Sequence, residues 1–78
     1  MNDRADHVAR SLAGTVRSRR KWLGLRQEEL AALANVSPRF VHSLEAAKPT
    51  VRLDKVVAVL DVLGLDLTAV GRSRDGGA

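Results

Sequence analysis

The chain has 78 residues, 45% apolar and 28% charged, with 13 Lys or Arg against nine Asp or Glu for a net charge of +4. That is one small globular domain, basic enough to suit a polyanion, with too few aromatics (Trp22 and Phe40) to stack single-stranded bases. It has no cysteine, so disulfides and thiolate metal sites are excluded, and the start has no apolar signal core and no run approaches the ~20 apolar residues of a membrane span, so a cytoplasmic location is expected.

Residues 1–6 are polar and expected to be disordered. From His7 the pattern is helical: Val8, Leu12 and Val16 recur every four residues, Leu23 extends the stripe, and the other side carries Arg10, Arg17, Arg20 and Lys21. Gly14 weakens this helix by ~1 kcal/mol, which predicts loose first turns. Gly24 follows the last periodic residue and reads as the stop. The cations at Arg17, Arg19, Arg20 and Lys21 suit either a solvated face or contact with phosphate. Trp22, at the helix end, is expected to pack against the core or a partner chain.

Residues 26–47 then read as two short helices meeting at a tight turn. Gln27-Glu28-Glu29-Leu30-Ala31-Ala32-Leu33-Ala34 is the first, and Asn35 tolerates the left-handed backbone that a sharp helix end requires. Ser37 is placed to cap the second helix, and Pro38 at its first position has no amide to leave unpaired. Small Ala31 lets the helices approach, while Val36, Val41 and Leu44 point back at Leu30 and Ala34. This combination is the helix-turn-helix pattern, in which the second helix enters the DNA major groove. Spacing alone would equally suit an ordinary helical hairpin; the turn and cap residues favour the DNA-binding form.

With Arg17, Arg20, Gly24-Leu25, Gln27-Glu28-Glu29-Leu30-Ala31, Val36-Ser37, Val41 and Leu44-Glu45 in place, residues 17–64 resemble the lambda-repressor-like (XRE) family of helix-turn-helix domains. Lys48-Pro49-Thr50, the apolar helix after it and Gly64-Leu65 are similar to the HipB-like antitoxins within that family. The resemblance implies an operator-binding repressor. At the finer level it implies the antitoxin of a toxin–antitoxin module, with a HipA-like kinase toxin as partner. In the family, the arginine matching Arg17 often touches the DNA backbone. Two positions depart from the pattern: Arg26 stands where the family often has a capping Thr or Ser, and Pro38 where many members carry a base-contacting glutamine.

Beyond the turn at Lys48-Pro49-Thr50-Val51, Leu53, Val56, Val57, Leu60 and Leu63 form an apolar stripe on a further helix ended by Gly64, expected to close the core against the first helix. Leu65-Asp66-Leu67-Thr68 alternates with period two, the signature of a half-buried strand. A lone strand needs an edge to pair with, most simply the same strand of a second subunit, so Leu65, Leu67 and Ala69 are the expected homodimer contacts; a disordered tail is the alternative. The expected architecture is therefore all-α, four to five helices over residues 7–70 with a short C-terminal strand, and a flexible tail at 71–78.

Catalytic chemistry is poorly supplied. His7 and His42 lie far apart with no cysteine to join them, no glycine-rich phosphate loop occurs, and Ser37 and Ser43 have no activating base. Glu28 and Glu29 are adjacent helix residues that do not face each other, and their place at a helix start suits the macrodipole. Glu45 suits an ion pair or a cap better than acid catalysis. An enzyme is not expected, nor a cofactor. The expected ligand is double-stranded operator DNA. Arg39 should read a base with its two-pronged donor fork, with contact to phosphate as the alternative, and Ser37, Phe40 and Ser43 in support; Phe40 suits a thymine methyl or the core about equally, His42 suits phosphate or base, and Pro38 in the same set has no polar group to offer. Arg17, Arg20, Gln27 and Lys48 should hold the backbone. Three functions stay open: an autoregulating antitoxin, a stand-alone repressor, and a protein-interaction module in which DNA binding is secondary.

Overall fold

The computed structural model describes residues 3–72. Four helices follow one another: α1 (Asp3–Trp22), α2 (Gln27–Ala34), α3 (Pro38–Glu45) and α4 (Leu53–Leu63). The core is built from Val16 of α1, Leu30, Ala31 and Ala34 of α2, Val41 and Leu44 of α3, and Val56, Val59, Leu60 and Leu63 of α4. Ala31 is fully buried, which allows the close approach of α2 and α3 that its small side chain predicts. α4 packs mainly on α2 and less on α1, so it closes the core against α1 as expected and against α2 more extensively.

All four helices end in the same hydrogen-bonded way. A left-handed residue lets the amide after it reach back to the carbonyl five residues earlier: Leu25 to Arg20, Val36 to Ala31, Lys48 to Ser43 and Leu65 to Leu60, at 2.9–3.1 Å. Gly24 (φ 74°) and Gly64 (φ 72°) supply that backbone at the ends of α1 and α4, and Asn35 (φ 57°, ψ 43°) at the end of α2. At the end of α3 the left-handed residue is Ala47 (φ 64°), which has neither the freedom of glycine nor the polar side chain of asparagine. The helix starts also differ in chemistry. Ser37 Oγ accepts from the Phe40 amide at 3.0 Å, with Pro38 next to it. Arg26 has no acceptor to cap α2, and the contact runs the other way: its amide donates to Glu29 Oε1 at 2.7 Å.

Several expectations are corrected. The N-terminal segment is helical from Asp3, with acidic Asp3 and Asp6 in the first turn where the macrodipole favours them; Met1 and Asn2 lie outside the described residues. Gly14 does not interrupt α1, and Val8 is 54% exposed because this end of the helix extends beyond the core. Trp22 is 73% exposed and does not pack into the core. On α4, Leu53 and Val57 are exposed and Val59 is buried instead, so the stripe is rotated relative to the one expected. Residues 65–72 form no strand, and among the described residues there is no strand at all. Leu65 is tied to Leu60 by the α4 cap and packs on the core, but residues 66–72 are exposed and have no sheet edge beside them within the single chain. Of the expected flexible tail, residues 73–78 lie outside the described residues.

The Ala47 cap generates a stability prediction. An alanine in left-handed backbone is strained by roughly 1 kcal/mol, part of which glycine returns through the freedom of its unfolded chain. Ala47→Gly should raise stability by up to about 1 kcal/mol in urea denaturation. A loss of stability would show that the Ala47 methyl packs more favourably than its backbone is strained.

Candidate nucleic-acid interface

α3 is divided lengthwise. Val41 and Leu44 are buried and Phe40 is half-buried on the core side, while Pro38, Arg39 and His42 are exposed. Its orientation is set by one buried ion pair. Arg20 of α1 donates from Nε to Glu45 Oε2 at 2.6 Å and from Nη2 to Oε1 at 2.8 Å, a fork-to-fork contact between side chains 10% and 4% exposed. Its third nitrogen, Nη1, donates to the Leu25 carbonyl at 2.9 Å. Gln27 Nε2, at the start of α2, donates to the same Glu45 Oε1 at 3.1 Å. One carboxylate at the end of α3 thus ties together α1, α2 and α3.

Burial works to raise the Glu45 pKa, but hydrogen bonds from Arg20 and then Gln27, with the charges of Arg20 and Arg17, outweigh it and hold the carboxyl below its ordinary value. The Arg20 pKa is raised, chiefly by its hydrogen bond to Glu45, against the opposing effect of burial. Arg20 is therefore removed from the set of DNA-contacting residues: all three of its nitrogens are engaged inside the protein. A basic cluster beside a helix-turn-helix suggests phosphate contact, but Glu45 takes the Arg20 guanidinium into the interior, while Arg17, about 60° round the helix, stays exposed.

The other expected residues fall on either side of the α3 ridge. Arg17, Gln27 and His42 line one cleft together with Glu45 and Ala46. Ser37, Arg39, Phe40, Ser43 and Lys48 line a groove on the opposite side. Phe40 packs against the core with one edge open, and Lys55 Nζ lies 6.0 Å from its ring centroid, near the limit of a cation–π contact. The Ser37 hydroxyl accepts within the cap and retains a proton to donate.

Thr50, Arg52 and Lys55 line that same groove and were given no role from the sequence. A signal for Lys55 was present. It occupies the third position of α4, where the macrodipole disfavours a cation, so the charge is placed against local preference. Arg52 is exposed and paired with Asp54, with Nη2 to Oδ2 at 2.6 Å. The Asp54 pKa is lowered by that hydrogen bond first. Across both linings the sole carboxylate is Glu45, already neutralised by Arg20; Arg39, Lys48, Arg52 and Lys55 with the hydroxyls of Ser37, Ser43 and Thr50 line one side of α3, and Arg17 with Gln27 and His42 lines the other. A helix ridge with basic residues on either flank is an arrangement suited to a duplex, whose phosphates border the major groove on both sides. Among the described residues no group of three or more His, Asp or Glu is arranged to hold a metal ion, and no helix is long and apolar enough to cross a membrane. Leu65 is half-buried against the core, whereas Leu67 and Ala69 are exposed and unpaired within the single chain.

The ion pair makes a pH prediction. A folded pKa below the unfolded one contributes stability that is complete above the unfolded value, ~4.3 for glutamate, and that is lost as pH falls through the lower folded value. Glu45→Gln removes one charge and strands Arg20. It should lower stability by about 3 kcal/mol at pH 7 and flatten the loss between pH 5 and acid, read from urea denaturation across pH. An unchanged acid limb would mean that other carboxylates carry it.

Residues 11–72 match the family model described as a helix-turn-helix domain, which leaves the first two turns of α1 outside the match. The chain is also 46% identical over 65 residues to a protein of Sinorhizobium fredii (strain NBRC 101917 / NGR234) described as the uncharacterized HTH-type transcriptional regulator y4mF, an alignment covering 81% of this chain and 86% of that protein. With a capped turn between α2 and α3, an exposed α3 ridge and these two matches, the chain belongs to the lambda-repressor-like (XRE) family of helix-turn-helix transcriptional regulators.

Proposed function

We propose that this regulator is a repressor that binds a palindromic operator as a homodimer, with Arg39 reading a base and Arg17, Gln27 and Lys48 anchoring the backbone. The observation that carries this reading is the α3 ridge between two cation-lined flanks, fixed in place by Glu45. Arg39 is exposed near the start of α3, and its guanidinium suits guanine O6 and N7. Pro38 beside it has no polar side-chain group to offer, so the reading falls to Arg39, with the Ser37 and Ser43 hydroxyls, His42 and the open edge of Phe40 around it. Lys55 and Thr50 join Lys48 as phosphate contacts.

Dimer formation is supported by the exposed apolar Leu67 and Val70 on a C-terminal segment that alternates in sequence and lacks a partner within the chain; a strand formed between two copies would satisfy its backbone. The antitoxin reading rests on the resemblance at Lys48-Pro49-Thr50 and Gly64-Leu65 alone. It requires a kinase-like toxin encoded alongside that co-purifies with this chain; without such a gene the protein is a stand-alone repressor.

A binding-site selection tests the whole reading. The selected duplex should be two-fold symmetric, with half-sites centred about one helical turn apart, ~34 Å. Arg39→Ala should lose ~1–3 kcal/mol at one guanine per half-site and relax preference there. Arg17→Ala should weaken all duplexes alike and lower the salt slope by about one unit. An asymmetric selected site would remove the dimer. Uniform weakening by Arg39→Ala would make it a phosphate contact and place sequence reading elsewhere on α3.

A further inference from the structure

On the outer side of α1, the face turned from the core, lies an open groove of about 760 Å³. Trp22 and Leu65 supply its apolar surface, Gly14 and Ser18 its floor, and Arg10 and Arg19 its charge. The proposed DNA contacts include none of these residues, and only Leu65 is among the expected dimer contacts. Trp22 is 73% exposed, an unusual fate for a large apolar ring in a chain with so few aromatics. The ring is also held in place. The Arg19 guanidinium lies 4.8 Å from its centroid, and Arg19 Nε donates to the Leu63 carbonyl at 3.0 Å, anchoring the stack to the end of α4. A fixed, exposed tryptophan beside an arginine is the composition of a protein-binding hot spot, because little side-chain freedom remains to be lost on docking.

We infer that this groove is a docking site for an acidic, apolar segment of a partner protein. The choice of partner follows from charge. Arg10 and Arg19 stand roughly 13 Å apart along α1 at 1.5 Å per residue, and no carboxylate lines the groove. No ion pair joins either arginine to an acid among the described residues. A nucleic acid would supply anions but would leave Trp22 and Leu65 against sugar and phosphate, whereas an amphipathic segment with carboxylates bordering an apolar face meets both requirements. The floor admits close approach: a Cβ added at Gly14 would meet nothing within 4 Å.

Because Trp22 is the single tryptophan, its emission reports on the groove directly. The probe is a helical peptide of about 18 residues made of Leu and Ala on one face and Glu on its borders, with a control in which Lys replaces every Glu. The acidic peptide should shift Trp22 emission to the blue saturably. Arg10→Glu, at an exposed position, should weaken that binding at least about threefold. Gly14→Leu should abolish the shift by filling the groove, with no loss of thermal stability, since it improves helix propensity and its Cβ meets no atom within 4 Å, and with operator binding unchanged. The inference fails if the acidic peptide gives no saturable shift, or if the Lys control binds equally well. It fails in favour of a second copy if emission of the protein alone shifts blue with concentration. It fails in favour of nucleic acid if duplex DNA moves the emission instead. Each of these results leaves the operator selection to be judged separately.

Discussion

The placement of the recognition helix depends on one carboxylate. Glu45 ends α3, and its two oxygens take both prongs of Arg20 from α1 and the amide of Gln27 from α2. Buried charges of this kind contribute little net stability against an apolar replacement, because desolvation offsets attraction. What they supply here is direction. An apolar contact at the same place would hold α3 against the bundle over a range of rotations, whereas a bidentate guanidinium–carboxylate contact fixes one. On the proposed reading, rotation about the α3 axis decides whether Arg39, His42 and Ser43 could present donors to base edges. The same contact places Gln27 and Arg17 beside the end of α3, so the two proposed contact regions share one rigid reference.

Electrostatics are separated by depth. The Arg20–Glu45 pair is buried, weakly screened by salt, and contributes to shape. The pairs of Arg26 with Glu28 and Glu29, at 3.7 and 3.5 Å, are exposed and contribute little. Of the surface cations, Arg39, Lys48 and Lys55 line one side of α3 and Arg17 the other, while Arg10 and Arg19 lie on the outer face of α1. The net charge of +4 is thus shared between the surface beside α3 and the outer face of α1.

Much of this was legible in the sequence, and the parts that were not share a physical reason. Gly24, Asn35, Ser37, Pro38 and Gly64 each have a local conformational preference strong enough to declare a helix end, and all five stand where the chain begins or ends a helix. Ala47 has no such preference, so its left-handed backbone is not legible from the residue type. The character of Glu45 as an ion-pair former was legible, but its partner was not, because the pair spans 25 residues of sequence. Arg20 was therefore grouped with its basic neighbours, although position on the helix, more than charge, decides its fate. The α4 stripe differs from the expected one at Leu53, Val57 and Val59 because every candidate there is apolar, and apolar pattern alone does not choose between adjacent faces. Alternation in Leu65-Asp66-Leu67-Thr68 marks a segment able to pair, while pairing itself needs an edge that a single chain lacks.

The central claim is that the α3 ridge and its two flanks, held by Glu45, form the duplex-binding face. Amide and side-chain chemical shifts of isotopically labelled protein, titrated with its selected operator duplex, test this residue by residue. The largest changes should fall on Arg17, Gln27, Ser37, Arg39, His42, Ser43, Lys48 and Lys55. The Arg20 Nε–H signal should stay protected and nearly unmoved, because it remains bonded to Glu45 throughout. Changes concentrated instead around Trp22 and Leu65, or loss of the Arg20 signal on binding, would contradict the account.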